Sequence, residues 1–207
     1  MIDIDLNVVT APLTWSGIFG REAPTEVEMG SGKGRFLLEM AATRPERNFL
    51  AVERAAKYHT LCCERAAKRG LTNVRLIRTT AEDLLFRLLR PASVETIYVL
   101  FPDPWPKKRH HKRRFFKADA VAATAGALRP SGQLLVKTDH EGYAEVIGPL
   151  LDSEPSLELT DPQVAFEGLP MTGFEHKYLH QGRDVFSFAA RRKDECSSIA
   201  DSIAVCG

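Results

Sequence analysis

Residues 101–116 read FPDPWPKKRHHKRRFF: an aspartate between two prolines, a tryptophan, then six Lys/Arg and two His in eight positions. Each proline fixes its own φ and restricts the residue before it, so Asp103 sits on a stiff backbone. A dense basic run beside an aromatic suits a nucleic-acid phosphate backbone held by cations, with a base stacked on the ring. The ordinary reading of such a run is a solvated charged face. Against that, no acidic residue lies between Asp103 and Asp119 to form local ion pairs. The whole chain carries 28 Lys and Arg against 27 Asp and Glu, so the positive charge is local.

The second group with chemical potential is Glu28-Met-Gly30-Ser-Gly32-Lys-Gly34. Its glycines let the backbone turn sharply and approach a ligand closely. A phosphate-binding P-loop needs a glycine five residues before its Gly-Lys pair and Ser/Thr after the lysine; Val27 and Gly34 stand there instead. A dinucleotide fingerprint is G-x-G-x-x-G, whereas this loop is G-x-G-x-G followed by Arg35. The remaining ligand is a cofactor with an amino-acid part and an adenosine part. Glu28 then takes the ammonium group, and Glu53, at the end of the next strand, accepts from both ribose hydroxyls. Such an acid fits ribose recognition in a dinucleotide enzyme or an S-adenosylmethionine enzyme alike. A plain tight strand-to-helix turn is the bland alternative.

These loops must be positioned by a scaffold, and the chain alternates strand-like runs with helical patterns. TEVEM (25–29), NFLAVE (48–53), NVRLIRT (73–79), VETIYVLF (94–101), GQLLVKTD (132–139), SLELTD (156–161) and DVFSFAARR (184–192) are the seven strand candidates. Helical patterns follow the first five, one ending at Gly70 and one at Pro91. Alternation of this kind predicts βαβ units and a mostly parallel sheet, covered by helices on both faces because the strands read as continuous apolar runs. In such a sheet ligands bind beyond the carboxyl ends of the strands, which is where both loops fall. At 207 residues with no internal repeat or linker, one domain over 1–192 is expected, followed by a disordered tail over 193–207. The N-terminus has no charged leader, and no apolar run approaches membrane-spanning length, so a cytoplasmic location is expected. Cys62, Cys63, Cys196 and Cys206 show no disulfide framework or paired metal spacing, and His59, His140, His176 and His180 form no constellation. No metal is expected, and monomer and homodimer both stay open.

The basic segment resembles, over its whole length, the signature of the bacterial tRNA (guanine-N7)-methyltransferases, which make 7-methylguanosine at position 46 of the tRNA variable loop. WSGIFG (15–20), EMGSGKG (28–34), AVER (51–54) and TGFE (172–175) support the resemblance in the family's order. It implies a Rossmann-like class I methyltransferase fold, with one antiparallel C-terminal strand, and S-adenosylmethionine as cofactor. It further implies Asp103 as the catalytic-site aspartate, also bordering the cofactor, and Glu28, Gly30, Gly32 and Glu53 as cofactor residues. Lys107, Asp139 and the segment Thr172, Gly173, Phe174, Glu175 are implied as substrate residues, and Arg113 of the basic run is expected to bind substrate with them. One position departs from the pattern: near the adenine, where the family usually has Asp or Asn, stands Thr80, with Glu82 and Asp83 just beyond.

Guanine N7 bears a lone pair and no proton, so methylation there needs no general base, and positioning carries most of the barrier reduction. Asp103 is expected to orient the base and steady its developing positive charge. The plainer roles are an N-cap on the basic helix for Asp103, a helix cap for Asp139, core packing for Phe174, and turn capping for Thr172 and Glu175. Lys107, Lys108, Arg109, Lys112, Arg113 and Arg114 are expected to hold phosphates. A methyltransferase for another substrate and an inactive RNA-binding relative are the competing readings.

Overall fold

The apolar runs pair into one sheet in the computed structural model, which describes residues 2–194. Its strands are β1 (Asp3–Ile4), β2 (Thr25–Met29), β3 (Asn48–Val52), β4 (Val74–Ile77), β5 (Val94–Leu100), β6 (Leu128–Thr138), β7 (Leu157–Thr160) and β8 (Phe186–Arg192). The order is β1-β4-β3-β2-β5-β6-β8-β7; β8 runs antiparallel to β6 and β7, and every other pairing is parallel. The sheet thus has eight strands where the sequence predicts seven. The added β1 pairs only Asp3 with Leu76 and Ile4 with Ile77, too short a run to show alternation. The sixth strand also starts four residues early, at Leu128, through an irregularity opposite Val94 and Thr96. Gly132 sits in it because a Cβ there would meet the Arg129 carbonyl at 2.8 Å.

Side chains of the central strands alternate between two apolar clusters. Val27, Leu50, Ile77, Ile97 and Val136 face one; Phe49, Ala51, Leu76, Tyr98 and Leu135 face the other. The first is covered by α1 (Trp15–Phe19), α5 (Ala118–Ala127) and α6 (Glu141–Asp152), the second by α2 (Arg35–Thr43) and α3 (Ala56–Lys68). Each fully buried Leu or Ile contributes about 1.5–3 kcal/mol. The WSGIFG motif is structural here: Trp15 and Phe19 are buried, and the Trp15 indole N–H donates to the Ser93 carbonyl at 2.7 Å. The helix before Pro91 is a single turn, α4 (Ala81–Asp83), that widens into a π-helical turn over Leu84–Leu88. Two short helices complete the fold, α7 (Pro162–Ala165) and α8 (Gly173–His180). No helix among the described residues is long and apolar enough to cross a membrane. The expected tail lies outside the described residues except Lys193 and Asp194, where the Lys193 amide still donates to the Ser156 carbonyl at 3.0 Å.

Candidate active site

β2 pairs with β3 on one side and β5 on the other, so chain direction diverges at β2, and the loops after β2 and β5 flank one crevice. Glu28, next to last in β2, is 4% exposed. Its Oε2 has no hydrogen-bond partner, and neither does the buried hydroxyl of Ser31. Burial pushes the Glu28 carboxyl up to about 8; the Leu37 amide in the first turn of α2 pulls against this, and the nearby Glu53 charge adds to it.

The loop is pinned from behind, with the Gly30 and Ser31 amides donating to the Val52 carbonyl at 2.8 and 3.0 Å. Gly30 and Gly32 have φ of 83° and 53°, and a Cβ on either would meet no atom within 4 Å, so open space lies over them. Gly34 differs: φ is 73°, and a Cβ would stand 2.2 Å from the Cys62 sulfur. Buried, unpartnered oxygens beside an open backbone cradle fit a ligand that brings its own ammonium group. Glu53 accepts from the Gly32 amide at 2.8 Å and the Ala55 amide at 2.7 Å, leaving lone pairs on both oxygens for further donors. Thr80 caps α4, its hydroxyl accepting from the Asp83 amide at 3.0 Å while its own O–H stays available. Glu82 is exposed, and Asp83 is held by Arg87 and Thr79, which keep its carboxyl down at about 2.

The loop after β5 presents Asp103 to solvent between two left-handed, non-glycine residues, Phe101 (φ 58°) and Trp105 (φ 43°). Strain of this kind costs on the order of 1–3 kcal/mol per residue and collects at functional loops. The basic residues form a 3₁₀ helix, Lys108–Arg113, preceded by Lys107, and no side chain caps it, so Asp103 is not a helix cap. Lys107, Lys108, Arg109, Lys112 and Arg113 are exposed, and none pairs with a carboxylate among the described residues. The Arg113 guanidinium lies 4.9 Å over the Trp105 ring. Arg114 departs from the expectation that it holds phosphate: it is 6% exposed, donates to the Pro104 carbonyl at 2.7 Å and lies 4.7 Å over the Tyr143 ring.

The substrate residues expected farther along meet this loop. Thr172 and Glu175 form a reciprocal capping box at the start of α8, and Glu175, buried, also pairs with Lys137 on β6. A Cβ at Gly173 would stand 4.0 Å from the Arg35 side chain, so α8 begins near the helix that follows the glycine loop. Phe174 is 51% exposed and so is not core; its ring stacks 6.0 Å from Tyr178 and lies 6.3 Å from Phe101. Asp139 caps nothing: His140 occupies the cap of α6, while Asp139 pairs with Arg183 at 2.8 Å. Burial, helped by the charges of Asp139 and Asp103 and opposed by that of Arg183, raises the Tyr178 phenol.

Tyr178, Arg183, Lys137 and Ser31 are candidate site residues that the sequence did not single out. A lone Tyr, Arg, Lys or Ser outside a spaced motif carries no signal, although Ser31 lay inside the glycine loop and Tyr178 one helical turn beyond Phe174.

A tRNA (guanine-N(7)-)-methyltransferase of Mycobacterium avium (strain 104) is 42% identical to this chain over 187 residues, 88% of this chain and 71% of that protein. The chain belongs to the tRNA (guanine-N7)-methyltransferase family. The family model described as "Putative methyltransferase" matches residues 22–188, a span that holds every candidate site residue from Glu28 to Glu175. Another tRNA (guanine-N(7)-)-methyltransferase, from Alkalilimnicola ehrlichii (strain ATCC BAA-1101 / DSM 17681 / MLHE-1), is 40% identical over 188 residues, 88% of this chain and 78% of that one. Among solved structures, the 16S rRNA methyltransferase KamB superposes with a TM-score of 0.62 at 19% identity, over 87% of this chain and 93% of that chain. That likeness shows the class I methyltransferase fold and nothing finer.

Proposed function

We propose that this chain transfers a methyl group from S-adenosylmethionine to N7 of a tRNA guanine, at position 46 of the variable loop, in the cytoplasm. One observation carries the proposal: a buried carboxylate oxygen without a partner among the described residues lies at the carboxyl end of β2, across the crevice from a loop that offers five exposed cations, none paired with a described carboxylate. S-adenosylmethionine supplies an electrophilic methyl group on a sulfonium centre.

The rest is positioning by this chain's side chains. Glu28 and Ser31 receive the ammonium end of the cofactor, Glu53 accepts from the ribose hydroxyls, and Thr80 donates its O–H toward the adenine. Asp103 accepts from the guanine N1–H and exocyclic amine, which selects guanine over adenine. The same carboxylate faces the positive charge that the base gains on methylation. No proton leaves N7, so Asp103 has no proton to abstract. Lys107 and Arg113 hold the phosphates, Phe174 and Tyr178 offer a ring face to the displaced base, and Asp139 steadies that wall through Arg183. The test is a tRNA transcript with 7-deazaguanine at position 46. Methyl transfer falls to background if N7 is the acceptor; transfer at the rate of the unmodified transcript would refute the assignment.

A further inference from the structure

We propose that Asp3, His59 and Cys63 form a zinc site that fastens the edge strand β1 to α3. His59 and Cys63 are four residues apart on α3 and share one face of it. The parallel pairing of β1 with β4 carries Asp3 to that face. The His59 Nε2 lies 3.1 Å from the Asp3 carboxylate and 3.9 Å from the Cys63 sulfur. All three donor atoms fall within 4.8 Å of one another. Zinc bonds of about 2.0–2.2 Å to N and O and about 2.3 Å to S, at tetrahedral angles, separate donors by roughly 3.3–3.6 Å. The Asp3–His59 and His59–Cys63 separations lie within a few tenths of an ångström of that range, and the third, at most 4.8 Å, closes by up to about 1.2 Å of Asp3 and Cys63 side-chain movement.

The chemistry of the set is selective. Thiolate, imidazole and carboxylate together suit zinc, whereas magnesium and calcium take oxygen donors. His59 is buried, so the protein encloses one side of the triad. The other side opens on a cleft of about 530 Å³ lined by Asp3, His59, Thr60 and Arg78, with room for water as the fourth ligand. A simple Asp3–His59 hydrogen bond accounts for two of the three groups and leaves the Cys63 sulfur against the same ring, 3.9 Å from Nε2 and 4.0 Å from Nδ1. On binding, the Cys63 thiol gives up its proton to solvent and the thiolate binds the ion. β1 lies at the far edge of the sheet, with β4 and β3 between it and β2. The site therefore braces a two-residue strand that has little pairing of its own.

The test uses the full chain, stripped with chelator and titrated with cobalt(II) as a spectroscopic stand-in for zinc. The proposal expects one equivalent to bind with a thiolate-to-cobalt charge-transfer band, bleached by zinc. The band is lost in Cys63→Ser, and in Asp3→Asn cobalt binds at least about tenfold more weakly, the loss typical of removing even an outer partner of a metal ligand. Zinc raises the melting temperature of the parent chain and not of Asp3→Asn. Absence of the band in the parent chain would overturn the proposal, as would a band unchanged in Cys63→Ser, which would trace the thiolate to Cys62, Cys196 or Cys206.

Discussion

Arg114 donates to the carbonyl of Pro104 at 2.7 Å, so the last cation of the basic run is the strut of the loop that bears Asp103. Its guanidinium is stacked on Tyr143, whose hydroxyl in turn accepts from the Phe116 amide at 3.1 Å. Arg114→Ala should lower stability by about 1.5–3 kcal/mol, the scale of a hydrogen bond to a charged group. It should also reduce kcat more than it raises KM for tRNA. Arg114→Lys should not restore kcat, because an ammonium lacks the planar face that stacks on the ring. Urea unfolding and steady-state kinetics on the two variants check this.

Asp103 and the exposed cations divide the work differently. Asp103→Ala should cut methyl transfer by about 10²–10³-fold, the scale of removing one electrostatic stabiliser, with tRNA affinity largely kept. Lys107→Ala and Arg113→Ala should weaken tRNA binding and each lower the slope of log K against log salt by about 1. Filter binding across a salt series separates the two classes. Equal loss of binding in Asp103→Ala would remove Asp103 from its role.

Glu28 should make both stability and cofactor binding depend on pH. Its carboxyl is raised from the ordinary 4.5 to about 8 by burial, so the fold favours the protonated form. The stabilising contribution is full below pH 4.5 and is lost as pH climbs through about 8. An ammonium ligand binds the ionised form, so affinity for S-adenosylmethionine should rise toward pH 8, by up to about tenfold per pH unit, with release of up to about one proton. Calorimetry in buffers of differing ionisation enthalpy reads the proton. Glu28→Gln should flatten both profiles and weaken binding most at the alkaline end, where the parent carboxylate is ionised.

Gly34 tests the packing beneath the cofactor loop. Gly34→Ala places a Cβ 2.2 Å from the Cys62 sulfur at φ 73°, so it should destabilise by about 1–3 kcal/mol of overpacking plus about 1 kcal/mol of backbone strain. Adding Cys62→Ala should recover the steric part and leave the strain. A double-variant cycle by thermal unfolding measures the coupling.

The exposed Phe174 and the half-buried Tyr178 should act on the base rather than on the fold. Phe174→Ala and Tyr178→Ala should each reduce kcat/KM for tRNA by roughly 5- to 150-fold, the range of one base-stacking contact. The melting temperature should change little for Phe174→Ala, because that side chain is half exposed. A large melting shift without kinetic loss would make it a packing residue.

The central strands were legible because parallel strands covered on both faces must be apolar throughout, as Phe49 to Val52 are. The two-residue β1 was not legible, since alternation needs length, and the π-helical turn at Leu84–Leu88 carries the same apolar spacing as an ordinary helix. The glycine loop and Asp103 were legible because their residue types are costly elsewhere. Arg114 was hidden within its own charge run, where only the fold distinguishes a buried strut from a solvated cation. Asp3 and His59 lie far apart in sequence, so no spacing rule reports the triad they form with Cys63.

The most direct measurement of the central claim is transfer of labelled methyl from S-adenosylmethionine into bulk tRNA lacking 7-methylguanosine, followed by borohydride–aniline cleavage of the strand at that nucleoside. Label incorporation and cleavage confined to the variable loop are expected. Methyl transfer without cleavage there would contradict that claim.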